Sequence, residues 1–125
     1  MKQVLATEQA PAAIGPYSQG IAAGETVYVS GQLPLDPATG AFPEGIAAQT
    51  AHSLKNIQAI LAQQGMTLAN VVKTTVFLAD INDFAEMNKV YGEFFTQPYP
   101  ARSAVQVAKL PKDAPLEIEC IAVRE

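Results

Sequence analysis

The spacing of apolar positions changes repeatedly along this chain, and each change marks an element. Val4 and Leu5 belong to a short strand over residues 2–5. The prolines and glycine of Ala10-Pro11-Ala12-Ala13-Ile14-Gly15-Pro16 make the next stretch a loop. Residues 18–23 and 26–31 read as two strands joined by the tight turn Gly24-Glu25. Residues 34–43, with Asp36-Pro37 and Thr39-Gly40, are loop again. From Ile46 to Gln64 the period is helical: Ala47, Thr50, Leu54, Ile57 and Leu61 share a stripe, Ile60 flanks it, and Gly65 is placed to end it.

The β-branched run at residues 71–78 reads as a strand. Asp83 is expected to cap a second helix, with Glu86 in capping-box position and an apolar stripe of Phe84, Met87, Tyr91, Phe94 and Phe95. Residues 103–108 and 116–123 supply two last strands around a Pro111–Pro115 turn. The order is β-β-β-α-β-α-β-β, an α+β class chain expected to form a single domain over residues 1–125. Strands 71–78 and 116–123 carry apolar residues on both faces, whereas two helices cover only one face of such a sheet. The second face is expected to meet another subunit in a rotationally symmetric homo-oligomer.

Composition narrows the function classes. A content of 49% hydrophobic and 16% charged residues is that of an ordinary globular chain. The net charge of −4 comes without a basic patch, which counts against nucleic-acid binding, since phosphate contacts need clustered cations. Residues 1–8 lack the apolar core of a signal peptide, and no apolar run approaches a membrane span. A single cysteine makes no internal disulfide and fits a reducing cytoplasm. With one His beside that one Cys, a four-ligand Cys/His zinc site is excluded. No metal constellation, glycine-rich phosphate loop or Ser–His–Asp arrangement is present, so no cofactor is expected.

The candidate chemistry lies near the C-terminus. Arg102 precedes an apolar-rich run, and Glu117 and Glu119 open another. Charges in such company call for a partner or a ligand. Arg102, with small neutral same-face neighbours Ala104 and Gln106, is read as a carboxylate clamp, and a salt bridge to Glu117 or Glu119 is the alternative. Glu117 and Glu119 share one strand face; one is expected to hold a structural partner such as Arg102, Arg124 or Lys109, the other to orient water or carry a proton. Asn88 interrupts the second helix's apolar stripe and needs a partner, in a helix-to-sheet bond or in a site. Tyr17, in a Pro-rich loop, and Ser30-Gly31, at a strand end where a ligand can approach backbone, are weaker candidates. His52 falls opposite the first helix's stripe as a solvated surface residue, and Cys120 reads as a buried, inert thiol.

Four segments in order resemble the RidA family of reactive-intermediate (enamine/imine) deaminases: residues 14–20 (IGPYSQG), 30–34 (SGQLP), 101–103 (ARS) and 110–119 (LPKDAPLEIE). The resemblance covers essentially the whole chain. It implies a chorismate-mutase-like α+β fold, a homotrimer with sites in the clefts between subunits, and hydrolysis of 2-imino acids to 2-keto acids and ammonia. By motif position, Arg102 would bind the substrate carboxylate and Glu117, not Glu119, would face the reacting carbon. Tyr17, Ser30, Gly31 and Asn88 would line the pocket. Many RidA proteins carry cysteine where this chain has Ala104; its backbone N–H remains able to meet a substrate oxygen, and water is then the nucleophile. Relatives have also been described as endoribonucleases or translation inhibitors, and a non-catalytic metabolite-binding or chaperone-like trimer would use the same clefts.

Overall fold

A computed structural model describes residues 1–125. Six strands, β1 (Lys2–Leu5), β2 (Gly20–Ala23), β3 (Thr26–Gln32), β4 (Val71–Leu78), β5 (Ala101–Gln106) and β6 (Leu116–Val123), form one sheet in the order β1-β2-β3-β6-β4-β5. The β4–β5 pair is parallel and every other pair antiparallel. A parallel pair needs a crossover, which helix α2 (Phe84–Phe94) supplies. Helix α1 (Ile46–Leu61) runs on through a 3-10 turn, and Gly65 ends it in the left-handed conformation, as its position predicts.

Alternation along the central strands gives each face its task. Leu116, Ile118, Cys120 and Ala122 of β6 and Thr74, Val76 and Leu78 of β4 are buried beneath the helices. They meet Leu54, Ile57, Ile60 and Leu61 of α1, none of which exposes any surface. Such fully enclosed side chains leave a cavity when truncated, so Leu54→Ala is expected to cost about 2–5 kcal/mol in chemical denaturation. The intervening residues, including Tyr28, Phe77, Ile121 and Val123, lie on the other face, where Tyr28 remains 48% exposed. No helix is long and apolar enough to cross a membrane.

Several expectations need correction. The fifth strand spans Ala101–Gln106 rather than the expected 103–108, because β4 offers a parallel ladder that pairs Ala101 and Arg102 with Lys73 and Thr74 and ends at Leu78 opposite Gln106. Asp83 makes no cap: a 3-10 turn over Ile81–Asp83 precedes α2, and Asp80 accepts from the Asn82 N–H instead. Asn88 is exposed on the rim of a stripe formed by Met87, Val90 and Tyr91. His52 is half-buried rather than fully solvated, since the buried side of α1 extends to Ser53 and Asn56. Asn56 donates to the Leu33 and Leu35 carbonyls and ties down the loop after β3.

Candidate functional site

Ser30-Gly31 owes its placement to a bulge. Register runs Val29↔Cys120 and then Gln32↔Ile118, so two β3 residues oppose Glu119 alone. The extra residue turns this stretch toward the carboxylates on the open sheet face. The Ser30 hydroxyl donates to the Ser18 carbonyl, and the Ser30 N–H to the Gln19 carbonyl, which binds the 18–19 segment to the bulge. Gln19, itself buried, accepts from the Thr7 N–H and donates to the carbonyls of Thr7, Ala10 and Pro11. One amide thereby anchors the loop that carries Tyr17.

These elements enclose a cavity of about 600 Å³ whose lining includes Tyr17, Ser30, Gly31, Leu33, Lys112 and Glu117. Burial, followed by the negative charge of Glu119, pushes the Glu117 carboxyl above its usual range. Gly31 leaves room for the Glu117 carboxylate: a Cβ there would lie 2.6 Å from Glu117 Cδ and 2.8 Å from Oε2, so the carboxylate would have to move. Gly31→Ala is therefore expected to displace the carboxylate and lower activity at least about tenfold while the protein stays folded, checked by kinetics alongside a thermal melt. Lys112 escaped notice in the sequence because its relevance is conformational. It and Asp113 are non-glycine residues at φ 58° and 53°, in the turn that brings Lys112 to the cavity.

Arg102 occupies a different place. Paired with Thr74, it points to the helix-covered side, where it meets Asn88, Tyr91, Gly92, Tyr99 and Pro100 around a cleft of about 460 Å³. Its Nη1 donates to Asn88 Oδ1 at 2.7 Å. Its guanidinium carbon lies 4.7 Å from the Tyr91 ring centroid and 5.4 Å from that of Phe84. The open space expected before Arg102 is thus partly filled by α2, and Asn88 finds its partner in Arg102 itself. Ala104 follows on the same face, paired with Val76 and packed against the core.

Within one chain Arg102 and Glu117 do not meet. Arg102 is in register with Thr74 and hence with Cys120, three residues along β6 from Glu117. That is about 10 Å along the strand and about 10 Å across it, with the side chains on opposite faces. A salt bridge between them is excluded. Nor does Glu119 hold any of the partners expected for it: Arg124 pairs with Glu25 at 3.7 Å and Lys109 with Asp113 at 3.1 Å. His52 lines neither cavity. Cys120 is buried, its thiol pushed up to about 12, as an inert core group.

A family model described as Endoribonuclease L-PSP matches residues 7–124. The chain is 54% identical to a 2-iminobutanoate/2-iminopropanoate deaminase of Salmonella typhimurium, over 99% of each chain. Among solved structures, Escherichia coli TdcF with bound serine is 48% identical and superposes with a TM-score of 0.94, covering 98% of this chain and 99% of that one. RidA from an Antarctic Psychrobacter gives the same identity, TM-score and coverage.

Proposed function

This chain belongs to the RidA family, and from that premise we propose that it hydrolyses 2-imino acids such as 2-iminobutanoate and 2-iminopropanoate to 2-keto acids and ammonia. The observation that carries the reading is the 54% full-length identity to a 2-iminobutanoate/2-iminopropanoate deaminase. Arg102 and Glu117 lie on opposite sheet faces. One small substrate can touch both if Arg102 comes from one subunit and Glu117 from its neighbour. The open sheet face, with Tyr28 and Val105 exposed, is the surface a neighbouring copy would cover in a homotrimer. A relative that binds serine supports a pocket for small amino-acid-like carboxylates.

In this reading the Arg102 fork binds the substrate carboxylate, and Tyr17, Ser30, Gly31 and Asn88 line the pocket. Glu117 takes a proton from a water as its oxygen bonds to C2, giving a carbinolamine. With the imine entering in its protonated form, Glu117 returns the water's proton to nitrogen and the C–N bond breaks. Ammonia leaves as the hydroxyl gives its proton back to Glu117 and the carbonyl forms. Ala104 offers no thiol, so water is the nucleophile. Positioning with one acid–base group, worth roughly 10²–10⁴-fold, suffices for imines that already hydrolyse in water. The test supplies 2-iminobutanoate from a threonine dehydratase and follows keto-acid release; acceleration by this protein is expected, and its absence overturns the reading.

The Glu117–Glu119 pair makes a pH prediction. Glu117 must be ionised to accept a proton, so activity is expected to rise with pH through its raised pKa. Glu119's charge contributes to that rise, so Glu119→Gln is expected to move the acid limb of kcat/KM to lower pH. A limb that stays in place would show that Glu117 is not the group titrating.

A further inference from the structure

Arginine carries many rotatable bonds, and an edge strand by itself restrains few of them. Arg102 nevertheless has a defined seat, and the part of it that α2 supplies is built around Tyr91. The ring lies beneath the guanidinium at 4.7 Å, the range of a cation–π contact. The ring is itself fixed at both ends. Its hydroxyl lies 2.7 Å from Thr74 Oγ1, and its face packs on Phe95 at 4.5 Å between centroids. Tyr91 is 5% exposed and Thr74 fully enclosed.

Thr74 is more than a convenient hydroxyl, because it is the residue paired with Arg102 in the β4–β5 ladder. Strand pairing sets Arg102 beside Thr74, Thr74 holds the Tyr91 hydroxyl, and the Tyr91 ring returns to support Arg102. A phenylalanine would fill the same core volume. The hydroxyl adds a bond that fixes the height and tilt of the ring against the strand bearing the arginine. Asn88 takes one Nη1 hydrogen bond, and no salt bridge occupies the guanidinium. Arg102 itself lines the cleft.

We propose that Tyr91, held by Thr74, is a positioning residue that aims the Arg102 fork at the substrate carboxylate. This rests on the reading of Arg102 as the carboxylate anchor, and it assigns Tyr91 a role in specificity for carboxylate-bearing ligands.

The test measures 2-ketobutanoate affinity by titration of the assembled protein, with the Arg102 side-chain Nε–H resonance as a second readout. Tyr91→Leu is expected to weaken binding roughly 3- to 30-fold, the worth of a partly desolvated cation–π contact. The Arg102 resonance, identified by its loss in Arg102→Ala, is expected to lose its ring-current shift. Tyr91→Phe and Thr74→Val keep the ring but free it, and each is expected to weaken binding by a smaller factor. Should Tyr91→Leu fail to fold, these two variants decide: unchanged affinity in both overturns the proposal. In a folded Tyr91→Leu protein, wild-type affinity overturns it even if Arg102→Ala has lost binding. Wild-type affinity in Arg102→Ala overturns the anchor reading itself, a separate failure.

Discussion

Arg102→Ala is expected to lower kcat/KM for 2-iminobutanoate hydrolysis at least about 30-fold while leaving fold and assembly intact. Removing a charge-assisted clamp from a desolvated anion costs about 2–5 kcal/mol, a loss in kcat/KM of roughly 30-fold to several thousandfold. The protein should tolerate the change because the guanidinium sits in a surface cleft, bonded to the exposed Asn88, and leaves no buried charge unpaired when it goes. Arg102→Lys should retain part of the activity, since it keeps the charge and loses the fork. A fully active Arg102→Ala protein would remove the clamp from the mechanism.

The same variant tests where the site lies. If Arg102 and Glu117 serve one substrate from adjacent subunits, co-assembly of Arg102→Ala with Glu117→Gln restores intact sites. Random equal mixing in a trimer would make about one quarter of the sites wild-type in both residues. Recovery of activity from two impaired parents is the expected result. No recovery, with mixed assembly verified by mass, would mean that the residues serve one site by some other arrangement or serve no common site.

Glu117→Gln is the second large effect, expected at roughly 10²–10⁴-fold in kcat, the usual worth of a positioned acid–base group. Its stability should move the opposite way. Burial raises the Glu117 pKa in the folded protein, so the folded state holds that proton more tightly than the unfolded chain. The stability associated with the protonated form is complete in acid and is lost as pH rises through the raised pKa. Glu117→Gln should therefore melt above wild type at neutral pH, with the difference vanishing in acid. A melt lower than wild type at neutral pH would show that the carboxylate contributes more through its contacts than burial takes away.

Much of the fold was legible because its signals are local. The spans of β4 and β6, the first helix and its Gly65 stop follow from periodicity and from one left-handed position. Errors arose where a neighbour intervened. The ladder with β4 drew Ala101 and Arg102 into β5, and a turn beginning at Asp80 replaced the expected Asp83 cap. In the candidate site, Tyr17, Ser30, Gly31 and Glu117 come together as their motifs suggest, whereas Arg102 and Asn88 form a separate cluster. The contribution of Tyr91 was hidden because in sequence it is simply one member of an apolar stripe.

By itself the sequence determined which residues carry charge into apolar strands, which faces alternate, and which family motifs are present, since these depend on residue type and nearest-neighbour spacing. It could not show that Arg102 and Glu117 point away from each other. That depends on strand order and register, with β4 inserted between β5 and β6 and a parallel ladder setting the phase of Arg102. A one-residue change of phase turns a side chain to the other face. The tertiary structure alone decided that Arg102 and Glu117 lie on opposite faces of the sheet, too far apart to meet within one chain.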